Sequence, residues 1–175
     1  MILTLASYKP ILDQIPLFQG NYLEIGVYEG DMLRSFAELW PERMFYGIDP
    51  FLSDKDTIGH TGVPIGERME KQRSESLSKF TLPNIKFFEQ TSKSFLEEKS
   101  QDELDAMNVS VVYVDGNHSY EDTLTDLCLS GKLIKDGLIY IDDFDLPEVL
   151  QATHDFIQLN PNRIVDHDKH MIRLR

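Results

Sequence analysis

The residues best suited to bind a ligand lie in segment 21–30, which reads Asn-Tyr-Leu-Glu-Ile-Gly-Val-Tyr-Glu-Gly. Its pattern, Glu-x-Gly-x-x-x-Gly, is set by Glu24, Gly26 and Gly30, and a helical pattern follows over residues 31–39. A strand that turns through glycine into a helix brings backbone N–H groups and the positive end of the helix to one point. This geometry suits a nucleoside-type ligand carrying a carboxylate or phosphate. The alternative is a tight turn that binds nothing.

An acidic residue follows the next predicted strand. Residues 44–48 end in Asp49, about 20 residues past the glycine turn, where an acidic side chain accepts hydrogen bonds from ribose hydroxyls. The Gly-x-Gly-x-x-Gly fingerprint of dinucleotide-binding proteins is not matched. Tyr28 stands where the middle glycine would let a pyrophosphate approach the backbone.

With Glu24, Gly26, Gly30 and Asp49, the chain resembles the class I S-adenosylmethionine (SAM)-dependent methyltransferases. The resemblance implies that Glu24 and the turn at Gly26, with Val27 beside it, face the methionine part of SAM. It also implies that Gly30 belongs to this cofactor-binding turn. Asp49 would then bind the ribose diol.

A third predicted strand, residues 85–88, ends shortly before Gln90 and Thr91. An amide at a strand end can read the edge of adenine through its donor and its acceptor, so Gln90 is a candidate adenine contact. Thr91, next to it, is a further candidate for cofactor binding, and either Thr91 or Ser92 can cap the helix that follows. The alternative places Gln90 toward solvent.

Two further strands end in acidic residues. Residues 109–114 are followed by Asp115 and then by His118, and the next strand ends in Asp142 and Asp143. The patterns Asp-Gly-x-His-x-Tyr and Asp-Asp at these places are similar to a small methyltransferase family related to Mg²⁺-dependent sugar O-methyltransferases. The resemblance implies that Asp115, Asp142 and Asp143 bind a divalent cation such as Mg²⁺, and that Asp115 also borders SAM.

The chemistry of these side chains agrees with that assignment. Converging carboxylates repel one another, and a hard cation with oxygen ligands removes the conflict. A cation bound to substrate hydroxyls lowers a hydroxyl pKa and aligns the oxygen with the methyl group. His118 is then the natural proton acceptor, with Asp115 as the competing candidate. Alternatively, Asp142 and Asp143 only cap the next segment without a metal, and His118 is a structural histidine.

The elements that must position these residues alternate along the chain. Strands alternate with helices, which predicts a single α/β domain over residues 1–175 with a doubly wound, Rossmann-like sheet. We expect about seven strands, mostly parallel, with helices on both faces and two closing antiparallel strands at 163–166 and 171–174. Ligands in such sheets bind outside the carboxyl ends of the strands, where every candidate residue falls.

Composition excludes several classes of partner. The net charge of −13 and the pI of about 4.7 argue against nucleic acid and against an anionic membrane surface. The single cysteine, Cys128, excludes an internal disulfide and a cysteine-rich metal site. With no signal-peptide layout and no long apolar run, the protein is predicted to be cytoplasmic.

These observations predict a SAM-dependent methyltransferase that acts on a hydroxyl of a small or sugar-like acceptor, with or without a metal. The alternative is a non-catalytic SAM- or nucleoside-binding module, or a subunit of an assembly. The chain lacks the extra helices that build the acceptor pocket of larger relatives. The acceptor is therefore expected to contact the loop at 50–66, which holds His60, residues 145–148, or a partner subunit in a homodimer. Asp31 departs from the family pattern by placing negative charge near the cofactor carboxylate.

Overall fold

The computed structural model of the protein describes residues 8–51, 65–161, 165–167 and 172–174. The described helices are α1 (Lys9–Leu12), α2 (Asp31–Leu39), α3 (Ile65–Lys79), α4 (Ser92–Glu98), α5 (Gln101–Ala106), α6 (Tyr120–Leu133) and α7 (Pro147–Leu159). The described strands are β1 (Asn21–Ile25), β2 (Phe45–Ile48), β3 (Ile85–Phe88), β4 (Val109–Val114), β5 (Leu138–Ile141), β6 (Val165–His167) and β7 (Ile172–Leu174).

The described strands form one sheet in the order β3-β2-β1-β4-β5-β7-β6. Strands β1 to β5 are parallel, and β7 pairs antiparallel with both β5 and β6. The predicted doubly wound α/β fold is confirmed. Because the order runs outward from β1 and β4 in opposite directions, the switch point lies between these two strands. Open α/β sheets bind ligands in the crevice at this place.

The central strands are largely buried because helices cover both faces of the sheet. All six residues of β4 are buried, and so are all four residues of β2 and of β5. In the register of the sheet, Ile25 pairs with both Ile48 and Val114. The three segments that follow β1, β2 and β4 therefore begin at one edge of the sheet.

Two apolar clusters fill the space between the sheet and its helices. One contains Leu23 with Phe95 of α4, Leu127 of α6 and Phe156 of α7. The other contains Tyr22 with residues of α1 and α2. Adjacent residues of β1 thus point to opposite faces, as a strand requires. Burying each such side chain contributes about 1.5–3 kcal/mol, and this packing holds the strand ends of the site in place.

Some boundaries differ from those predicted. The first strand, expected over residues 22–27, ends at Ile25 because Gly26 leaves the extended conformation with φ +83°. Helix α5 was not predicted, although its start carries a capping box in which Ser100 and Glu103 exchange hydrogen bonds. The closing antiparallel strands are present in β6 and β7.

The predicted acceptor loop at 50–66 falls mostly on residues 52–64, which lie outside the described residues, as does His60. Within the described ranges, no helix has the length and apolar character needed to cross a membrane.

Candidate functional site

The glycine turn after β1 packs directly against the end of β4. Gly26 has φ +83°, and a Cβ added to it would lie 1.9 Å from the backbone oxygen of Asp115. Only glycine fits so close to a neighbouring backbone with this φ. Gly30, with φ +74°, precedes α2 as its N-cap, so the predicted strand–turn–helix arrangement is present. The turn and the Asp115 loop thus meet at the switch point.

The Asp49 carboxylate holds this turn in place. One oxygen accepts hydrogen bonds from the N–H groups of Val27 at 2.9 Å and Tyr28 at 3.0 Å, and the other accepts from the N–H of Phe51 at 2.7 Å. Three bonds leave one of the four acceptor positions of the carboxylate for a ligand hydroxyl. The structure therefore places Asp49 and Val27 together at the predicted cofactor site and gives Asp49 a second, structural role.

Tyr28 adopts an uncommon backbone conformation at this point. Its φ is +48°, which is rare for a bulky residue, and its carbonyl accepts a 2.6 Å hydrogen bond from the Ser76 hydroxyl. Its side chain is 52% exposed, beside the mouths of two cavities. The left-handed conformation turns both N–H groups of the turn toward Asp49.

Two cavities of about 480 Å³ each are lined by residues of this turn. They share the lining residues Gly26, Tyr28, Asp115 and Gly116, so the two cavities adjoin one another. Together they are called the crevice, which lies at the carboxyl ends of β1 and β4. An extended ligand such as a nucleoside joined to an amino acid could occupy both.

The first cavity lies between the ends of β1, β2 and β4 and helices α4 and α6. Asp49, Thr91 and Ser92 line it, together with Asp126 of α6. Thr91 also accepts a hydrogen bond from the N–H of Ser94 as the N-cap of α4, as predicted. Gln90 is not among the residues that line the cavity, so its contact with adenine stays a prediction.

The second cavity is bordered by the start of α2. Glu24, Gly30, Asp31 and His118 are among its lining residues. The Asp31 carboxylate pairs with the Lys79 ammonium group at 2.7 Å. The negative charge that Asp31 brings near the cofactor is therefore balanced by a cation.

Glu24 is 3% exposed and accepts a hydrogen bond of 3.4 Å from the Tyr22 hydroxyl. Burial, and then the nearby charge of Asp115, raise the pKa of Glu24 well above its usual range. A neutral carboxyl can donate as well as accept a hydrogen bond. At this site Glu24 can therefore contact an amino acid ligand without adding charge.

Three of the predicted reactive residues come together at the ends of β4 and β5. Ligand atoms of Asp115, His118 and Asp143 all lie within 4.8 Å of one another, and His118 Nε2 is 3.2 Å from Asp143 Oδ2. Asp142, the remaining predicted metal ligand, is engaged differently. It accepts hydrogen bonds from the Tyr113 hydroxyl and from the N–H of Asp143.

The Asp115 carboxyl is the most perturbed of this group. Burial, followed by the charges of Asp142 and Asp143, raises the pKa of Asp115 to about 8. The repulsion expected from the sequence is therefore present in the structure. A bound cation would relieve it.

Residues 23–144, more than half of the chain, match the family described as a methyltransferase domain. The chain belongs to this family. No curated protein sequence matches it.

Solved structures of methyltransferases share its fold. CalS11, described as TDP-rhamnose 3′-O-methyltransferase in calicheamicin biosynthesis, aligns with a TM-score of 0.65 at 20% identity over 99% of this chain and 79% of that chain. The O-methyltransferase NovP aligns with a TM-score of 0.62 at 18% identity over 89% of this chain and 71% of that chain. At such low identities the likeness establishes the fold.

This methyltransferase thus has the class I architecture, for which SAM is the expected methyl donor. Its residues fit SAM: Gly26 leaves no room for a Cβ, and two cavities of about 480 Å³ each adjoin the glycine turn and the Asp115 loop. Sequence reasoning missed two residues of the site, the buried Asp126 and Tyr113, the partner of Asp142. In the sequence, the signal for Asp126 was an acidic residue within a predicted helix, and the signal for Tyr113 was a tyrosine within an apolar strand.

Proposed function

We propose that this methyltransferase transfers the methyl group of SAM to a hydroxyl of a small or sugar-like acceptor, beside a divalent cation. The observation that carries the proposal is the grouping of Asp115, His118 and Asp143 next to the cofactor crevice. Asp115 belongs to this group and also lines both cavities, so the acceptor oxygen and the methyl donor would meet there.

The donor atoms of this group suit a cation. Two carboxylates supply the oxygen ligands that Mg²⁺ prefers, and water and substrate hydroxyls can complete the shell. Bound there, a divalent cation would lower the pKa of the acceptor hydroxyl and fix its position. The raised pKa of Asp115 supports this reading, because burial and the charges of Asp142 and Asp143 disfavour its ionised form, and a bound cation would offset both effects.

Within this proposal each residue has a distinct task. Asp115 and Asp143 hold the cation, and His118, at 3.2 Å from Asp143, accepts the proton from the acceptor hydroxyl. Asp142 is fixed by the Tyr113 hydroxyl and by the N–H of Asp143, so it orients Asp143 rather than facing the cation. Asp49 and the glycine turn position the methyl donor in line with the acceptor.

The charge of the crevice favours SAM over phosphate-bearing cofactors. The first cavity is lined by acids, namely Asp49, Asp115, Asp122 and Asp126. SAM carries a net positive charge through its sulfonium, whereas a pyrophosphate would be repelled.

Two similar structures support a hydroxyl acceptor. CalS11 and NovP are both described as O-methyltransferases, and the CalS11 acceptor is a sugar. The acceptor of this chain would bind near Asp143, at the rim formed by the start of α7.

Calorimetric titration tests the cofactor site. Wild-type protein is titrated with SAM and with S-adenosylhomocysteine, each with Mg²⁺ and with chelator. Binding in the micromolar range is expected, and Asp49→Ala should abolish it while Asp49→Asn, which keeps one acceptor oxygen, retains part of it. Absence of binding to either ligand in the folded wild type would refute the proposal.

Methyl transfer from labelled SAM to a panel of neutral diols and sugars then separates an enzyme from a binding module. Transfer that requires Mg²⁺ supports the full proposal. Transfer that persists in chelator removes the metal from it. Cofactor binding without transfer to any diol or sugar in the panel would favour a binding module.

A further inference from the structure

An acidic residue on α6 has no task in the reaction described above. Asp126 is 5% exposed, yet it lines the first cavity together with Asp49, Thr91 and Ser92. Leucines of the same helix are buried in the core, whereas Thr123 and Ser130, about one turn to either side of Asp126, are buried polar residues. A carboxyl costs more to bury than these hydroxyls, so its presence beside the cavity needs an explanation.

The structure positions the Asp126 carboxyl in two ways. The Ser92 hydroxyl at the start of α4 donates a hydrogen bond to it. Its Oδ2 atom lies so close to Gly116 that a Cβ added there would be 2.7 Å away. Gly116 thus leaves the space that the carboxyl occupies at the end of the cavity.

Neither contact explains why this residue is an acid. An asparagine could accept the same hydrogen bond from Ser92 and has nearly the same size. No ion pair involves Asp126 in the described part of the chain, and its charged neighbour is another acid, Asp122. Burial is costly for an unpaired carboxylate and raises the pKa of Asp126 to about 7. The acid therefore weakens the fold and needs another reason.

Its place in the crevice suggests that reason. The ribose is expected at Asp49, and the methionine part extends past Gly26 into the second cavity. The purine must then occupy the rest of the first cavity, where Ile25, Ile48 and Pro50 provide apolar walls. Asp126 lines this cavity together with Thr91 and Ser92 at the N-terminal end of α4, so a purine bound there would have these polar side chains as neighbours.

We propose that Asp126 determines cofactor specificity by accepting a hydrogen bond from the 6-amino group of the SAM purine. The proposal rests on the proposed function, since it takes the first cavity as the nucleoside end of the SAM site. An ionised carboxylate that accepts a hydrogen bond from a donor group rejects a purine that has an acceptor at the same position, because two acceptors then face each other. The comparison is therefore made near pH 8, above the pKa of about 7 of Asp126.

Two ligands that differ at this position test the proposal. S-Adenosylhomocysteine carries the 6-amino group, and S-inosylhomocysteine carries an oxygen in its place. Wild-type protein should bind the adenosyl compound about tenfold or more tightly than the inosyl compound. Asp126→Asn, whose amide can donate to the oxygen, should bring the two affinities within about threefold. A merely structural role would weaken both ligands equally and leave their ratio unchanged.

Asp122→Asn is the matched control, because it removes one negative charge from the same cavity and helix. Its discrimination should equal that of wild type. The proposal is overturned if wild type does not discriminate, if Asp126→Asn still does, or if Asp122→Asn loses discrimination equally. If wild type binds neither ligand, the proposed cofactor site is refuted. That result differs from wild type binding both ligands with equal affinity, which refutes only the role of Asp126.

A second variant covers the case in which Asp126→Asn does not fold. Ser92→Ala removes the hydroxyl that orients the carboxyl but leaves the N-cap residue Thr91 in place. It should reduce the discrimination about threefold. An unchanged ratio in this variant would then decide against the proposal.

Discussion

Nε2 of His118 lies 3.2 Å from Oδ2 of Asp143 and 3.9 Å from Oδ1 of Asp115. The imidazole follows β4 and Asp143 follows β5, so the packing of two adjacent parallel strands brings the groups together. A histidine between two carboxylates can accept a proton or bind a cation. The two roles predict different effects of replacing His118 on the reaction rate and on the metal affinity.

As a proton acceptor, His118 should affect the reaction rate and leave metal binding intact. His118→Gln is expected to lower the rate of methyl transfer about 100-fold, with the metal dissociation constant changed less than about threefold. Single-turnover rates and metal titration measure the two effects. His154→Gln, which alters an exposed histidine of α7, should change neither. An equal loss of metal affinity in His118→Gln would make His118 a ligand instead.

The two adjacent acids after β5 should differ in their effect on metal binding. Asp143 faces His118, whereas Asp142 is held by the Tyr113 hydroxyl. Asp143→Asn is therefore expected to raise the Mg²⁺ concentration for half-maximal activity about tenfold or more, and Asp142→Asn about threefold. A titration of activity with Mg²⁺ gives both values. The ligand assignment fails if Asp142→Asn has the larger effect.

Two substitutions in the glycine turn should differ in their effect on the free energy of unfolding. Gly26→Ala places a Cβ 1.9 Å from the Asp115 backbone oxygen at φ +83°, so it should lower the free energy of unfolding by about 3 kcal/mol or more. Tyr28→Gly relieves the φ of +48° and should leave the free energy of unfolding within about 1 kcal/mol of wild type. Urea unfolding measures both. A stable Gly26→Ala protein that still binds SAM would contradict the geometry of the turn.

The stability of the fold should depend on pH through Asp126. Its folded-state pKa of about 7 lies above the ordinary aspartate value of 3.8, so the unfolded chain loses this proton first as the pH rises. The residue thus destabilises the fold increasingly between these two values and by a constant amount above them. The free energy of unfolding of Asp126→Asn should therefore be about 2–4 kcal/mol higher than that of wild type near pH 8, and about equal to it near pH 4. Chemical unfolding at both pH values checks this, and an equal difference at both would contradict it.

Glu24 should tolerate replacement of its carboxyl by an amide but not the loss of its side chain. Because burial raises its pKa well above the usual range, Glu24→Gln is expected to keep SAM affinity within about threefold near neutral pH. Glu24→Ala leaves the buried Tyr22 hydroxyl unpaired and should weaken binding about tenfold. Calorimetry with SAM compares the two. If both variants lose affinity equally, a charged Glu24 contacts the cofactor.

Local patterns in the sequence determined the fold and most of the site. Apolar runs bounded by turn residues gave strands β3, β4 and β5 with their observed limits. Strand–helix alternation implied a parallel sheet, and parallel strands bring their carboxyl ends to one edge. For this reason the predicted residues Gly26, Asp49 and Asp115 come together in the structure.

Only the tertiary structure decided how each of these side chains is engaged. Asp142 and Asp143 are adjacent in sequence, yet their partners differ. Asp142 accepts a hydrogen bond from Tyr113 of the adjacent strand β4, whereas Asp143 contacts His118. Asp126 joins the site because α6 packs over the first cavity, a contact that no spacing in the sequence encodes. The spacing of residues close together in the sequence indicates the local conformation of the backbone. Hydrogen-bond partners and pKa shifts depend instead on which groups from distant parts of the chain the packed elements bring within a few ångströms.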